Sequence, residues 1–423
     1  MVSGRQTRAG VPPGRPRPGA DRAPRPLPVE RSTPLDPPDE LRILRFEQPV
    51  APLAFPDGPP GWLITRYDDV RVALADPRLS SRRPHLNSHV RASLITSEEM
   101  AVLRPSDLLT SDPPAHTRLR RLVAGHFTAR RMNQLTGRIQ TIVDQHLDAL
   151  AAAPQPVDLM QTVALPVPSL VISELLGVPF ADRDQYQRLT GELLSLDRTR
   201  EQLLAGKAEM KSYLLHLIGA RRAEPDDDLL SGLLQAQSAD ATLSDEEIAA
   251  LAQLILIAGH ETTAHVIGLA VLLLLRPPRL WDTVRRRPEL VDGVVEETLR
   301  YATALQFGLL RVAREPLTLA GQSIAVGERV VLHLPAANRD GNRFTDPDRF
   351  DVHRTDAARH LSFGHGPHHC LGDQLARVEL RTVLATMLHR FPDLELATDP
   401  DEILTHTHRV VHGPARLLVD FTP

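Results

Sequence analysis

The sequence predicts a mainly α-helical fold with a small β-rich region. Apolar residues three and four positions apart dominate from about residue 68 to residue 303, and the same periodicity returns after residue 373. Strand patterns are short, and they are confined to the stretch that begins at Trp62 and to the stretch from Leu317 to Leu334. With 423 residues, of which 42% are hydrophobic, the chain can bury a large core.

The elements can be placed in order along the chain. Residues 1–38 are rich in proline, glycine and arginine, so we expect a disordered extension, followed by a single domain over residues 39–423. A strand is expected at Trp62–Thr65. The predicted helices are Asp68–Ala75, Gly137–Ala152, Asp182–Leu196, Thr199–Arg221, Asp245–Leu275, Pro288–Tyr301 and Asp373–Leu388, with a small antiparallel sheet between Leu317 and Leu334.

Composition excludes several classes of function. The net charge of −4 and the pI near 6.5 give no global reason to expect a nucleic-acid partner. A single cysteine excludes an intramolecular disulfide and gives no sign of an oxidising compartment. The longest uninterrupted apolar run, Val266 to Leu275, is half of what a membrane span needs, and the N-terminus lacks the apolar core of a signal peptide. We therefore expect a cytoplasmic protein that does not bind a membrane.

The single cysteine lies in a loop rich in glycine and histidine. The segment from Ser362 to Gly372 reads SFGHGPHHCLG and precedes an amphipathic helical pattern. Gly372 would let the backbone approach a flat ligand closely. Cys370 would lie at the N-terminus of the next helix, where the helix dipole and free N–H groups favour the thiolate that ligates metals. A thiolate on haem iron favours O–O cleavage, so this residue type fits oxygen activation.

Two other interpretations of this loop stay open on the residues alone. Cys370 could be a buried structural cysteine, a common situation for a lone cysteine. The loop could instead bind zinc through His365, His368, His369 and Cys370. Zinc ligands usually come from separated pairs, so four ligands within six residues fit a tetrahedral site poorly.

The longest apolar helical pattern carries a polar cluster at its middle. The segment from Leu254 to Thr263 reads LILIAGHETT, and apolar residues flank it on both sides, so this helix should cross the interior. Polar side chains are costly there unless they have a role. Thr262 or Thr263 could bond back to a carbonyl one turn earlier, and Gly259 would loosen the helix, which predicts a local distortion beside a cavity.

These segments together resemble the cytochrome P-450 family. Residues of the loop that match the family's cysteine-ligand motif are Phe363, Gly364, Gly366, His368, Cys370 and Gly372, and four further motifs occur earlier in the chain in the family's order. The resemblance implies the cytochrome P-450 fold, with haem b held between the helix of Thr262 and the loop of Cys370, the iron ligand. The other haem contacts that it implies are His116, Arg120, Ala258, Thr262, Arg311, Phe363, Gly364, His368 and Gly372.

The resemblance also implies roles for two pairs of residues. Glu261 and Thr262 would form the family's acid–alcohol pair, which delivers protons during oxygen activation. Glu297 and Arg300, three residues apart on one helix face, would form a buried structural pair that locks onto the segment from Asn338 to Phe350. We assign this second pair to folding and haem retention rather than to chemistry.

By analogy with the fold, one set of residues would contact the substrate: Leu254, Ile257, Ala258, Gln306, Phe307 and Leu309. Parts of residues 82–108 and 180–205 would form a lid. Because this lining is apolar, we expect a hydrophobic and fairly large organic substrate. Gln306 is the polar residue expected to orient it through a hydrogen bond.

The implied activity is that of a haem-thiolate monooxygenase. It would insert one oxygen atom from O2 into the substrate, by hydroxylation or epoxidation, in bacterial secondary-metabolite or antibiotic biosynthesis. We expect electrons from NAD(P)H to arrive through a separate ferredoxin and ferredoxin reductase. Two alternatives remain: a haem-thiolate enzyme of oxidative coupling or peroxide chemistry, against which the intact Glu261–Thr262 pair argues, and a non-catalytic haem sensor, which would need an output domain.

Overall fold

A computed structural model of the protein describes residues 23–82, 89–92, 94, 108–239, 243–277, 279–407 and 409–422. Over these residues the predicted fold class is confirmed, since a mainly helical body carries a smaller β-rich side. Most of the segment 82–108, expected to form part of a lid, lies outside the described residues.

Helices account for most of the fold. They are α1 Asp39–Glu47, α2 Tyr67–Ala75, α3 Ala115–Ala124, α4 Ala129–Ala152, α5 Pro166–Leu176, α6 Arg183–Leu194, α7 Arg200–Ala223, α8 Leu229–Ala239, α9 Asp245–Leu275, α10 Leu280–Arg286, α11 Val291–Tyr301, α12 Leu334–Ala337 and α13 Asp373–Arg390. Every helix that the periodicity predicts is present. The largest difference is at α4, which begins well before the predicted Gly137 because the Thr128 hydroxyl accepts from the Arg131 N–H and caps the helix.

The β-rich side consists of short strands. They are β1 Val50–Leu53, β2 Gly61–Ile64, β3 Leu79–Ser80, β4 Val157–Asp158, β5 Leu309–Ala313, β6 Leu317–Leu319, β7 Gln322–Ile324, β8 Arg329–Leu332, β9 Glu395–Leu396 and β10 Leu418–Asp420. The main sheet has the order β1-β2-β8-β5-β3, in which only β2 and β8 run parallel. β6 and β7 form the predicted antiparallel hairpin, and Gly321 supplies the positive φ of its turn. β8 instead joins the main sheet.

The long helix α9 is the central element of the helical body. It begins at Asp245 because Ser244 and Glu247 form a capping box. By length and composition it could cross a membrane, but 72% of its most apolar window is buried inside the protein. The helix is therefore the core of the fold, and it packs on α5 and α7 and on α13, the helix that follows the cysteine loop.

The packed part of the chain begins earlier than the predicted boundary at residue 38. Leu27 and Leu35 are buried in two hydrophobic clusters, and the Asp36 carboxylate pairs with Arg339 at 3.3 Å. The carbonyl of Pro34 contacts His412 Nε2 at 2.9 Å. Residues 23–38 therefore belong to the domain. The composition of this segment predicts disorder. A few buried side chains are nevertheless enough to hold an extended segment that has no helical or strand periodicity.

Candidate active site

The cysteine loop is closed by its own backbone. The Cys370 N–H donates to the Phe363 carbonyl at 2.8 Å, and the Gly364 N–H donates to Leu361 O at 2.8 Å. Gly364 and Gly366 both have positive φ, and a Cβ on Gly366 would come within 3.0 Å of backbone atoms of α2. These two glycines are therefore required by the turn and by its packing.

Gly372 has a different reason to be glycine. Its φ of −93° is open to any residue, and a Cβ built on it would meet no protein atom within 4 Å. Packing within the protein thus does not explain the glycine. The space beside it suits the close approach of a bound group to the backbone.

The Cys370 side chain has accessible surface, yet protein surrounds the thiol, and this burial raises the pKa of Cys370 to about 11. The Gly372 N–H lowers that pKa, as predicted for a helix N-terminus, but by less than burial raises it. The helix start alone therefore does not ionise this thiol, and a bound metal cation would be needed to stabilise the thiolate.

The middle of α9 exposes one stripe of residues to an interior space. Ala258 is exposed, and Leu254, Ile257 and Thr262 are partly exposed, whereas Ile255, Leu256, His260 and Glu261 are buried. Leu254 packs against the same hydrophobic core as Phe363 and Leu371 of the cysteine loop. The stripe of α9 and the cysteine loop therefore both adjoin the main hydrophobic core, and we call the space that the stripe faces the interior region.

Thr262 makes the predicted backbone contact. Its hydroxyl donates to the Ala258 carbonyl at 2.7 Å, one turn earlier. The predicted helix distortion is not observed, since α9 is continuous from Asp245 to Leu275. Gly259 serves packing instead: a Cβ there would lie 2.6 Å from Ile172 Cγ1 on α5.

Glu261 lies one residue before Thr262 and is only 3% exposed. Burial raises the pKa of its carboxyl group, and the charge and hydrogen bond of Arg409 lower it. The two side chains meet at 3.1 Å between Arg409 Nη1 and Glu261 Oε1.

A cluster of cationic side chains lies beside the cysteine loop. The rings of His116 and His368 are 4.1 Å apart, and His116 and Arg311 are 2% and 6% exposed. Burial and the neighbouring Arg311 and His116 lower the pKa of His368 to about 4. The nearby carboxylate, Asp112, accepts bonds from the Ser80 hydroxyl and the Ser81 N–H. Burial also lowers the pKa of His116, so the positive charge of this cluster comes from Arg311 and Arg120.

The zinc alternative finds no support in the geometry. Within the described ranges, no three His, Cys, Asp or Glu side chains converge as a set of metal ligands. The imidazole of His368 is directed to His116 rather than to a shared centre with Cys370. A single thiolate ligand therefore remains the interpretation that the loop supports.

Comparison with known proteins identifies the chain. The family model described as cytochrome P450 matches residues 193–421. Cytochrome P450 105C1 of a Streptomyces species is 45% identical over 383 residues, which cover 90% of this chain and 95% of that one. The chain belongs to the cytochrome P-450 family. It is accordingly a monooxygenase, an oxidoreductase whose family uses haem iron and O2.

Solved structures of the family confirm the fold. The structure of CYP105P1 in complex with filipin I superposes with a TM-score of 0.88 at 39% identity, over 95% of this chain and 99% of that one. The mycinamicin VIII C21 methyl hydroxylase MycCI of Micromonospora griseorubida, bound to mycinamicin VIII, gives a TM-score of 0.86 at 34% identity, over 93% and 99% of the two chains.

The residues present fit the haem of the family. His116 Nε2 is buried and has no hydrogen-bond partner among the described residues, so it is available to a ligand. The buried guanidinium of Arg311 and the partly exposed Arg120 would be stabilised by anionic partners, which the two carboxylates of haem b would provide. The open space beside Gly372 and the exposed surface at Ala258 are both suited to contact with a flat group that Cys370 could bind.

The predicted structural pair is present and completely buried. Arg300 and Glu297 have no exposed side-chain surface and form a bidentate pair at 2.7 and 2.8 Å. Arg300 also donates to the carbonyls of Asn338 and Pro347, as expected for a lock onto the segment 338–350. The Asn338 side chain in turn accepts from the Leu361 N–H at the start of the cysteine loop.

Two predicted substrate residues are placed differently from the expectation. Phe307 is 6% exposed and lies in a hydrophobic cluster with Leu27 and Leu53, so its ring packs inside the protein and does not line an open surface. The Gln306 amide nitrogen donates to the carbonyls of His406 and Arg409. Any contact of Gln306 with a substrate would therefore come from its amide oxygen. Leu309 is partly exposed at the start of β5.

Sequence reasoning missed two arginines of the site region. Arg354 bonds Glu297 at 3.1 Å and completes a buried triad with Arg300. Arg409 pairs with Glu261 across 148 residues of sequence. The sequence pattern does not indicate either arginine, because arginine is abundant throughout this chain and such ion pairs depend on the tertiary fold.

Proposed function

We propose that the protein hydroxylates or epoxidises a large hydrophobic secondary metabolite in a bacterium, with electrons delivered by separate redox proteins. The observation that carries this proposal is the Glu261–Thr262 pair beside the exposed stripe of α9, in a helix that packs on α13, the helix that follows the cysteine loop. The compound names printed for the two solved relatives, filipin I and mycinamicin VIII, support the substrate class. A cytoplasmic location agrees with this proposal.

Haem bound through Cys370 supplies the activation of O2 and the insertion of one oxygen atom. The protein's own part is to orient the substrate and to supply protons. The Thr262 hydroxyl borders the interior region and is held in place by the Ala258 carbonyl. Burial raises the pKa of Glu261, which brings a carboxyl group closer to the neutral range where it can both take up and release a proton.

The proposed substrate contacts follow the exposed stripe. Leu254, Ile257 and Ala258 present apolar surface, and Leu309 lies at the edge of β5. Burial of apolar surface would supply most of the binding free energy, with few directional contacts. We therefore expect binding to depend on size and shape, and the Gln306 amide oxygen to provide the main polar contact.

The proposed electron donor is a ferredoxin that a ferredoxin reductase reduces with NAD(P)H. An open cleft of about 390 Å³ lies between α3 and the cysteine loop, and it is lined by His116, Thr117, Arg120, Arg121, Ala124, Gly366 and Pro367. Arg121 is exposed at this cleft. Cationic side chains so close to the loop would attract an acidic protein and favour its docking.

The experiment combines the purified protein with ferredoxin, ferredoxin reductase, NAD(P)H and a panel of bacterial macrolides under ¹⁸O2. We expect a product that carries one ¹⁸O atom. In Thr262→Ala, NAD(P)H consumption should continue while product falls and hydrogen peroxide rises, because proton delivery is impaired.

Thr263→Ala is the matched control. Its hydroxyl donates to the Gly259 carbonyl at 3.4 Å on a buried face of α9, so the ratio of product to NAD(P)H should stay close to wild type. Unchanged coupling in Thr262→Ala, or turnover that needs peroxide rather than O2 and NAD(P)H, would contradict the proposed function.

A further inference from the structure

The buried carboxylate of Glu261 depends on one distant cation. Arg409 Nη1 lies 3.1 Å from Glu261 Oε1, whereas Oε2 is buried and has no hydrogen-bond partner among the described residues. A buried carboxylate with one free oxygen is strongly sensitive to the position of its single charged partner. The orientation of Glu261 is therefore set by Arg409.

Arg409 belongs to a segment near the C-terminus, residues 404–414, which we call the C-terminal loop. Gln306 fixes this loop, because its amide nitrogen donates to the carbonyls of His406 and of Arg409 itself. The Gln306 N–H also donates to Val410 O at 3.3 Å. Gln306, which lies shortly before β5, thus fixes the backbone position of Arg409.

A second anchor comes from the end of α6. Ser195, which caps that helix, forms an antiparallel β-bridge with Arg409. Gly191 of α6 faces the same carboxylate, since a Cβ there would lie 3.5 Å from Glu261 Oε1. Arg409 is therefore held from two sides, and α6 lies in contact distance of the Glu261 side chain.

The histidines around Glu261 are disfavoured as cations, because burial lowers the pKa of each. Burial lowers the pKa of His260 to about 4, and burial together with the Arg409 charge lowers the pKa of His406 to about 4. The pKa of His265, one turn along α9, is also lowered by burial. Tyr186 of α6 contacts the His260 ring edge-on. Arg409 is thus the cation that balances Glu261 in the described part of the chain.

We propose that Arg409 is a positioning residue for proton delivery, which holds the Glu261 carboxylate in the orientation from which it serves Thr262. This inference rests on the proposed role of Glu261. Arg409 itself does not touch the reacting atoms. It acts through the ion pair, and Gln306 acts through Arg409.

The test compares Arg409→Gln with Arg409→Lys. Loss of the cation should lower the yield of product per NAD(P)H by on the order of tenfold, which is less than the 10²–10⁴-fold expected for loss of a general acid or base itself. Arg409→Lys keeps a positive charge and should recover most of the coupling. Arg416→Gln, which alters a 68% exposed arginine of the same C-terminal region, should behave as wild type.

A second readout does not depend on turnover. The infrared carbonyl band of protonated Glu261 can be identified in the substrate-free protein because it is absent from Glu261→Gln. In Arg409→Gln this band should persist to higher pH than in wild type, since the charge that lowers the pKa of Glu261 is gone. Gln306→Leu, which removes the anchor of the loop but no charge, should shift the band in the same direction by less.

The outcomes separate the two proposals. Normal coupling in Glu261→Gln would overturn the role in proton delivery that the proposed function gives to Glu261. If Glu261→Gln is uncoupled but Arg409→Gln keeps wild-type coupling and an unshifted infrared band, Arg409 has no positioning role. A loss of coupling in Arg409→Lys equal to that in Arg409→Gln, with the band unshifted in both, would show that Arg409 only stabilises the fold.

Discussion

Arg300 is a charged side chain without exposed surface, and each of its N–H groups finds an acceptor. Its guanidinium donates to both carboxylate oxygens of Glu297 and to the carbonyls of Asn338, Pro347 and Arg349. A guanidinium has five donors in a fixed planar arrangement. The site is therefore built for arginine, and no other cation can satisfy it.

We predict that Arg300→Lys destabilises the protein severely. Lysine has three donors on a flexible stem, so carbonyls of the segment 338–350 lose their partners and Glu297 loses its bidentate pair. Breaking a buried pair costs about 3–5 kcal/mol. Urea unfolding should show a loss of that size, together with weaker haem retention.

The control for this prediction is a surface pair with the same spacing. Arg285 and Asp282 are three residues apart and each about one third exposed, so Arg285→Lys should change the unfolding free energy by less than about 1 kcal/mol. Equal effects in the two variants would show that burial of the Arg300 pair does not matter to stability.

At the scale of elements, the close packing of α9 on α5 has a specific cause. Gly259 allows Ile172 to lie where a Cβ would otherwise be, 2.6 Å away. Interiors are packed densely enough that an added methyl group must displace its neighbour. Because the exposed stripe of α9 lies one residue from Gly259, this packing also fixes the wall of the interior region.

We predict that Gly259→Ala destabilises the protein by about 1–3 kcal/mol, as overpacking of a core usually does. Ile172→Ala in the same chain should recover part of the loss, because the smaller side chain makes room. Chemical unfolding of the single and double variants measures this coupling.

Gly219→Ala provides the matched control. Gly219 lies on an exposed face of α7, and a Cβ there would meet no atom within 4 Å. Alanine should stabilise that helix by up to about 1 kcal/mol. Additive effects of Gly259→Ala and Ile172→Ala would contradict the packing argument.

The whole molecule contains several buried histidines that remain neutral. Burial, together with nearby Arg31 and His89, lowers the pKa of His333 to about 3. The pKa values of His260 and His412 are also lowered, mainly by burial. In the unfolded chain these side chains take up protons near pH 6.5, whereas the folded protein resists protonation. The stability that these histidines contribute is therefore fully present above pH 6.5 and is lost as pH falls.

His333→Asn tests this acid sensitivity. Asparagine keeps an acceptor for the Ala336 N–H that His333 caps, but it does not titrate. The unfolding free energy of the variant should fall less than that of wild type between pH 6.5 and about pH 4, by on the order of a few kcal/mol. His216→Asn, at an exposed position, should leave the pH dependence unchanged. Parallel curves for His333→Asn and wild type would contradict the assignment.

The sequence predicts those structural features whose pattern lies within one short segment of the chain. The helices α9 and α13 follow from periodicity and capping, and the cysteine loop follows from its glycines, so both could be predicted. Glu297 and Arg300 share one helix face, which is also a local property. These features reproduce most of the fold and the centre of the candidate site.

Features that depend on distant contacts could not be predicted. Residues 23–38 resemble a flexible tail until Leu27 and Leu35 meet partners in the core. The direction of Phe307 depends on how β5 sits in its sheet, and the partner of Gln306 is a loop a hundred residues further along the chain. The Arg409 contact with Glu261 has the same long-range character.

The most direct test of the central claim, haem held by the Cys370 thiolate, is the absorption spectrum of the dithionite-reduced protein with and without carbon monoxide. Thiolate ligation through this cysteine predicts a strongly red-shifted Soret band in the carbon monoxide complex. A band typical of imidazole ligation in well-folded protein would contradict Cys370 as the ligand, and no haem signal after haem supplementation would contradict the whole account.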